Sequence, residues 1–234
     1  MPDIVLVHGA WHGGWCWQRV AEQLRSQGHR VFAPSLTGLG DRSHLLGPDV
    51  DLSTHVLDVA NLIDSYDLDD VILCGHSYGG MVITGVADRM SERIQALVYL
   101  DALVPEDGQC MFDTIPTEIA DGFRAQAAEG DGYSVPPMTG EQFNVNAADA
   151  DWMNAKCTNH PLASFTEPLR FSGAHGRGAR CVYVLAAGFE HPGTRGAYEK
   201  VQGQPGWEAV VMDGGHDLML DNPAAVTALL AMQV

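Results

Sequence analysis

One segment of this sequence constrains its fold more than any other. An apolar strand signal, Val71–Cys74, runs into Gly75–Gly79, which reads GHSYG, and then into the helix-like stretch Met81–Met90. Small residues two before and two after Ser77 allow a tight turn, and this turn exposes the serine hydroxyl as a nucleophile. The five-residue pattern alone is common, but a strand before it and a helix after it make the match specific. Ser77 is therefore the candidate nucleophile.

A nucleophilic serine needs a base, and the end of the chain offers one. The predicted strand Glu208–Met212 is followed by Asp213–Asp217, which reads DGGHD and contains His216. The chain has 10 histidines, so a histidine by itself carries little information. The place of His216 after the last strand, with two glycines before it, indicates that it is the base.

The developing oxyanion needs two hydrogen-bond donors, and the first strand leads to one of them. Ile4–Val7 is an apolar strand that ends at His8, Gly9 and Ala10. Gly9 lets the backbone turn beside the nucleophile, so that the N–H of Ala10 can point at the oxyanion. The N–H of Tyr78 is the predicted second donor, and we expect His8 to be structural.

The acid that orients the base has two candidates. In the commoner layout it follows the strand Cys181–Leu185, where Glu190 is the nearby carboxylate. In the alternative layout it follows the strand Leu97–Leu100, where Asp101 comes at once. An aspartate at the end of a buried strand is costly without a partner, and a histidine N–H would satisfy it. We favour Asp101 and keep Glu190 as the alternative.

Short apolar strands alternate with helical patterns along the chain, which indicates a parallel sheet with helices on both faces. Six strands are predicted, at Ile4–Val7, Arg30–Ala33, Val71–Cys74, Leu97–Leu100, Cys181–Leu185 and Glu208–Met212. Helices are predicted at Trp15–Gln27, Ser53–Tyr66, Gly80–Met90, Gly196–Gln202 and Asn222–Met232, with Ser53 and Asn222 as N-caps.

The composition changes between two of these strands, where an inserted cap is expected. We predict a core of residues 1–104 and 177–234 and a cap of residues 105–176. A structureless loop of that length would be unusual, so we expect helices at Thr117–Glu129 and Thr139–Asn144, and around Asp149–Cys157.

Three motifs together resemble a known family. Val5–Trp17, Gly75–Gly80 and Gly214–Leu220 are similar to the motifs of α/β-hydrolase-fold proteins of the plant methylesterase and hydroxynitrile lyase type. The resemblance implies an α/β-hydrolase fold with a helical cap and a serine esterase that needs no cofactor. Its partner is a small-molecule ester, and members of this type often form homodimers.

Two departures from the lyase branch favour the esterase branch. Hydroxynitrile lyases of this type carry a threonine where Ala10 stands and a lysine directly after the catalytic histidine, where this chain has Asp217. A carboxylate beside a departing cyanide would repel it. A carbon–carbon lyase and a ligand-binding protein on a hydrolase scaffold remain the alternatives.

Aromatic and apolar residues beside the motifs and in the cap are the expected substrate contacts. The predicted set is Trp11, Leu103, Phe112, Phe123, Trp152, Phe189 and Leu218. Phe143, Met153 and Phe165 are further candidates in the cap.

Charge and composition exclude several function classes. The net charge of −17 argues against nucleic acid and against anionic membranes as partners, and it disfavours highly anionic substrates. The five cysteines show no metal-binding spacing and are expected to be reduced. The chain starts directly in a core strand without a signal-like segment, which predicts a cytoplasmic protein.

Overall fold

A computed structural model describes residues 2–173 and 178–234 of the chain. The strands are β1 (Ile4–Val7), β2 (Val31–Phe32), β3 (Val71–His76), β4 (Ile94–Leu100), β5 (Ser134–Val135), β6 (His160–Pro161), β7 (Arg180–Ala186) and β8 (Trp207–Met212). The α-helices are α1 (Gln18–Ser26), α2 (Leu52–Ser65), α3 (Gly79–Arg89), α4 (Thr117–Glu129), α5 (Ala150–Asn154), α6 (Leu162–Thr166), α7 (Pro192–Val201), α8 (Leu218–Asp221) and α9 (Pro223–Ala231). Short 3-10 helices cover Gly14–Trp17, Gly40–Leu45, Ser91–Arg93 and Met111–Thr114.

The core of the molecule is a parallel six-stranded sheet in the order β2-β1-β3-β4-β7-β8. Its central strands are largely apolar because both faces are covered, and every residue of β1 and β3 is buried. All six predicted strands are confirmed. Since the strands are parallel, the loops that follow β1, β3, β4 and β8 meet at one edge of the sheet, where ligands of such sheets bind.

Helices flank the sheet, and α1 packs against α9 while α2 packs against α3. The predicted N-cap Asn222 is confirmed, since its side chain accepts a hydrogen bond from the first turn of α9. The predicted N-cap Ser53 is wrong. Asp51 caps α2 instead, because its carboxylate accepts the N–H of Thr54 at 2.8 Å. Ser53 lies inside the helix and donates its hydroxyl to Glu167 at 2.6 Å.

Between β4 and β7 the chain leaves the sheet, and residues 105–173 of this excursion are called the insertion below. The predicted helix over Thr117–Glu129 is confirmed as α4, and the one around Asp149–Cys157 is the shorter α5. The predicted helix over Thr139–Asn144 is wrong, because these residues form turns and Asn144 has a φ of 55°. The antiparallel pair β5–β6 was not predicted. The predicted boundary between cap and core, at residues 176 and 177, lies outside the described residues.

Two further properties concern the described residues as a set. Within residues 2–173 and 178–234, each helix is too short or too polar to cross a membrane. All five cysteines are free thiols, and four of them are buried. They pack as small apolar side chains, as the sequence predicts.

Candidate active site

Ser77 occupies a strained turn between β3 and α3. Its φ is 53°, in the left-handed region that non-glycine residues rarely adopt. Its N–H donates to the carbonyl of Leu100 at 3.3 Å, which ties the turn to the end of β4. A Cβ on Gly79 would lie 2.9 Å from the backbone oxygen atoms of Val7 and His8. The glycine is therefore required because the turn packs directly on the end of β1.

The structure brings Ser77 and His216 into hydrogen-bonding contact. The Oγ atom of Ser77 lies 2.9 Å from the Nε2 atom of His216. His216 follows β8, and its own N–H donates to the carbonyl of Phe143 in the insertion at 2.9 Å. The ring is almost fully buried, packed 4.5 Å from the ring of Phe189 and 5.0 Å from that of Phe143. These contacts hold the imidazole with Nε2 facing Ser77, which is the geometry of a candidate general base.

Asp101 is the carboxylate that meets this histidine. Its Oδ2 atom lies 2.6 Å from Nδ1 of His216, and its Oδ1 atom accepts the N–H of Ala186 at 3.1 Å. Asp101 is fully buried at the end of β4, with a φ of 42°. The other candidate, Glu190, is exposed to solvent. The geometry therefore favours Asp101 as the orienting group, because it alone of the two contacts the ring.

The loop that follows β1 passes close to Ser77. A Cβ on Gly9 would lie 2.9 Å from the Cβ of Ser77, so only glycine fits there. Ala10 lines the same cavity as Ser77. Within the described ranges, no hydrogen bond uses the N–H of Ala10 or that of Tyr78. Both groups are thus available as donors to an oxyanion on a substrate.

His8 braces this loop, as the sequence predicts. Its Nε2 atom accepts the N–H of Leu36 at 3.0 Å, and its Nδ1–H donates to the carbonyl of Gly9 at 2.8 Å. Burial lowers the pKa of His8 to about 3, so the ring is neutral at neutral pH. A neutral ring with one acceptor and one donor nitrogen suits both contacts.

A buried pair of charged side chains lies beside His216. The carboxylate of Asp217 contacts Nε2 of His12 at 3.2 Å, and Nδ1 of His12 contacts the carbonyl of Ala10 at 2.7 Å. Both ring nitrogens of His12 face oxygen acceptors, which favours the doubly protonated ring. Burial opposes that charge, but Asp217 outweighs it and raises the pKa of His12. The pair joins the loop after β1 to the loop that carries His216.

A cavity of about 80 Å³ lies between this edge of the sheet and the insertion. Ser77, His216 and Ala10 line it, and most of the remaining wall is apolar. Four of the predicted substrate contacts line it: Trp11, Leu103, Phe123 and Phe189. The further candidate Phe143 lines it as well. The candidate nucleophile and the candidate base thus lie at the wall of a largely apolar cavity.

Three predicted substrate contacts do not line this cavity. The ring of Phe112 packs on Phe123 and Phe165 in the insertion, with centroids 6.3 and 5.7 Å apart. Trp152 lies against the ring of Trp15, 5.0 Å away. Leu218 is fully buried at the start of α8. Proximity in sequence to a motif, or an aromatic ring in the insertion, does not determine which way a side chain points.

Sequence reasoning missed several residues of the wall, namely Met111, Ile115, Ile119, Met138, His191 and Thr194. One signal could have found Ile119, because it lies four residues before Phe123 on the predicted helix α4 and shares its face. His191 is polar and also caps α7, since its Nδ1 atom accepts the N–H of Gly193 at 3.2 Å. Burial lowers the pKa of His191. The neutral ring therefore carries its proton on Nε2, as a donor.

Comparisons with known proteins agree with this fold. The model of the alpha/beta hydrolase family matches residues 4–229. A carbendazim hydrolyzing esterase of Nocardioides sp. (strain SG-4G) is 44% identical over 99% of both chains. Salicylic acid-binding protein 2 of Nicotiana tabacum is 37% identical over 44% of this chain and 40% of its own length. The solved structure of an extracellular alpha/beta-hydrolase from a Paenibacillus species matches 100% of this chain and 99% of its own, with a TM-score of 0.86 at 23% identity.

Proposed function

This chain belongs to the alpha/beta hydrolase family, and we propose that it cleaves neutral carboxylic esters through an acyl-enzyme formed on Ser77. The chain is a carboxylic ester hydrolase, like its full-length relative from Nocardioides. The observation that carries the proposal is the continuous set of hydrogen bonds from Ser77 through His216 to Asp101. It ends at the wall of a largely apolar cavity.

In the first half of the reaction, His216 Nε2 takes the proton of the Ser77 hydroxyl as Oγ attacks the carbonyl carbon. The carbonyl oxygen becomes an oxyanion and accepts the N–H groups of Ala10 and Tyr78. The tetrahedral intermediate collapses, the bond to the alcohol oxygen breaks, and His216 returns its proton to the leaving alcohol. The acyl group is then bonded to Ser77.

In the second half, water replaces the alcohol. His216 takes a proton from the water, whose oxygen attacks the acyl carbon, and the same two N–H groups stabilise the second oxyanion. Collapse breaks the bond to Ser77, which recovers its proton from His216 as the carboxylic acid leaves. Throughout, Asp101 accepts the Nδ1–H of His216, so that Nε2 faces the serine in its basic form.

The cavity wall supports an uncharged, largely apolar substrate. Its side chains beyond Ser77 and His216 are apolar except for His191 and Thr194, and a carboxylate or ammonium group would enter without a partner ion. We place the lid over this cavity in the predicted cap of residues 105–176, whose described part supplies Met111, Phe123 and Phe143 to the wall. The name of the Nocardioides relative says that it hydrolyses carbendazim. Carbendazim is therefore the first larger substrate to assay.

The proposal is tested by comparing the wild type with Ser77→Ala on short p-nitrophenyl esters. Without the nucleophile, kcat should fall by about 10³-fold or more. Ser26→Ala is the matched control, because Ser26 is exposed at the end of α1 and does not line the cavity. Acid-quenched wild type should carry the acyl mass on the peptide that contains Ser77. Turnover that survives in Ser77→Ala, or cyanohydrin cleavage faster than ester cleavage, would contradict the proposal.

A further inference from the structure

Trp11, directly after the oxyanion donor Ala10, has an unusual backbone. Its φ is 64°, a left-handed conformation that is a genuine outlier for a bulky residue. Such a conformation persists only where the surrounding structure holds it, and it is found mostly at functional sites. The contacts that hold Trp11 therefore affect the position of the neighbouring oxyanion donor, the N–H of Ala10.

Every hydrogen bond described for Trp11 goes to the insertion. Its N–H donates to Nδ1 of His160 at 3.2 Å, and its indole N–H donates to the carbonyl of Val135 at 3.0 Å. Its carbonyl accepts the N–H of Thr158 at 2.9 Å. The insertion thus holds Trp11 through three hydrogen bonds.

The peptide unit between Ala10 and Trp11 is fixed at both ends. Its N–H is bonded to His160 in the insertion, and its carbonyl accepts the Nδ1–H of His12 at 2.7 Å. The preceding peptide carries the N–H of Ala10. Because one fixed peptide borders the other, the direction of the Ala10 N–H depends on these two histidines.

His160 is set up as an acceptor. Its Nε2–H donates to the hydroxyl of Ser164 at 2.8 Å, and that hydroxyl donates onward to the carbonyl of Pro161 at 2.8 Å. The proton on Nε2 leaves Nδ1 free to accept from Trp11. His160 is fully buried and its ring stacks on Phe165 at 4.2 Å. Burial and the nearby histidines lower the pKa of His160 and keep the ring neutral.

We propose that His160 is a positioning residue for the oxyanion hole: by accepting the N–H of Trp11, it lets the insertion hold the Ala10 N–H in its productive direction. The inference rests on the proposed function and goes beyond it, because it makes the insertion part of the catalytic apparatus rather than only a wall of the cavity.

A pair of isosteric variants separates this role from simple packing. In His160→Asn the side-chain oxygen can occupy the place of Nδ1 and accept from Trp11, but it cannot reach Ser164. In His160→Gln the amide can reach Ser164 but offers no acceptor at the Nδ1 position. We expect His160→Asn to keep kcat within about 3-fold of the wild type. His160→Gln should lose about 10- to 100-fold in kcat with little change in KM, approaching the cost of losing an oxyanion donor.

Three controls keep the test decisive. Ser164→Ala removes the partner that holds the proton on Nε2 but leaves Nδ1 facing Trp11, so it should cost less kcat than His160→Gln. His160→Ala removes both contacts, so it should show the loss even if the glutamine variant folds poorly, with His160→Asn as the rescue. A trifluoromethyl ketone forms an oxyanion on the serine. Across the His160 variants, its affinity for the enzyme should fall in proportion to the loss of kcat. Equal kcat values for the asparagine and glutamine variants would overturn the inference. Absence of ester turnover in the wild type, or its persistence in Ser77→Ala, would instead overturn the proposed function.

Discussion

At the scale of single residues, the ends of the strands decide the site. The contact between Asp101 and a histidine could be predicted, because a carboxylate that directly follows a buried strand needs a partner. The structure supplies two, the ring of His216 and the N–H of Ala186. Glu190, the alternative, follows β7 by four residues and reaches the surface. A residue tied to a strand end has one position relative to the sheet, whereas a loop residue has many.

Asp101 and Glu190 give a direct test of the acid. Asp101→Asn should lower kcat by about 10³- to 10⁴-fold, because an amide no longer selects the histidine tautomer that leaves Nε2 basic. Glu190→Gln should keep kcat within about 2-fold, because an exposed side chain without a contact to the ring has no part in that selection. Steady-state kinetics on the same p-nitrophenyl ester measures both. A large loss in Glu190→Gln together with an active Asp101→Asn would reverse the assignment.

The cavity wall is the part of the site that the sequence could not determine. Phe123 faces the cavity while Phe112, eleven positions earlier, packs away from it. Both lie in an insertion without strong periodicity, so nothing in the pattern fixes which ring turns inward. The contacts of Trp11 were equally hidden, because His160 is 149 residues away along the chain.

At the scale of elements, predictability followed length and periodicity. The six core strands and α4 were predicted because apolar runs and helical spacing extend over several residues in each. The two-residue strands β5 and β6 are too short to show alternation, although they carry His160 and Val135. The helix prediction over Thr139–Asn144 is wrong because Asn144 adopts a positive φ in a turn. Short elements are set by tertiary contacts rather than by local pattern.

Gly80, in the first turn of α3, tests how closely that helix packs on the loop after β4. A Cβ on Gly80 would lie 2.0 Å from the carbonyl oxygen of Leu103, a backbone atom that cannot move aside cheaply. Gly80→Ala should therefore lower the free energy of unfolding by about 1–3 kcal/mol or more. Urea denaturation measures the change.

The matched control is Gly122→Ala in α4, where an added Cβ meets nothing within 4 Å. It should raise the free energy of unfolding by roughly 0.5–1 kcal/mol, as alanine is the better helix former. If Gly80→Ala is as stable as Gly122→Ala, then α3 does not pack on the loop as closely as described.

At the scale of the whole molecule, buried neutral histidines make the fold sensitive to acid. Burial is the main cause that lowers the pKa of His8 to about 3 and also lowers the pKa values of His55, His76 and His160. In the unfolded chain these groups have an ordinary pKa of about 6.5. Below that pH the unfolded state binds protons that the folded state excludes, so stability is lost as the pH falls.

We expect the free energy of unfolding to decrease by several kcal/mol between pH 7 and pH 4.5. Protonation also reduces the net charge of −17, and relief of that repulsion would by itself raise stability. A decrease is therefore the signature of the buried rings. Urea denaturation at several pH values measures it, and stability that rises towards pH 5 would contradict it.

His8→Gln isolates one of these groups. Its amide can still accept from Leu36 but does not titrate, so the pH dependence should become shallower by up to about 1.4 kcal/mol per pH unit below pH 6.5. His44→Gln, at an exposed position, should leave the pH dependence unchanged.

The order of the three hydrogen-bonded groups along the chain has a consequence for synthesis. Ser77 and Asp101 leave the ribosome early, whereas His216 follows 139 residues after the serine and behind the last strand of the sheet. Under the proposed mechanism, a nascent or prematurely terminated polypeptide that holds Ser77 without His216 is chemically silent towards the esters around it. On that mechanism, activity arises in a single step, when the final strand joins the sheet, rather than gradually as the chain grows.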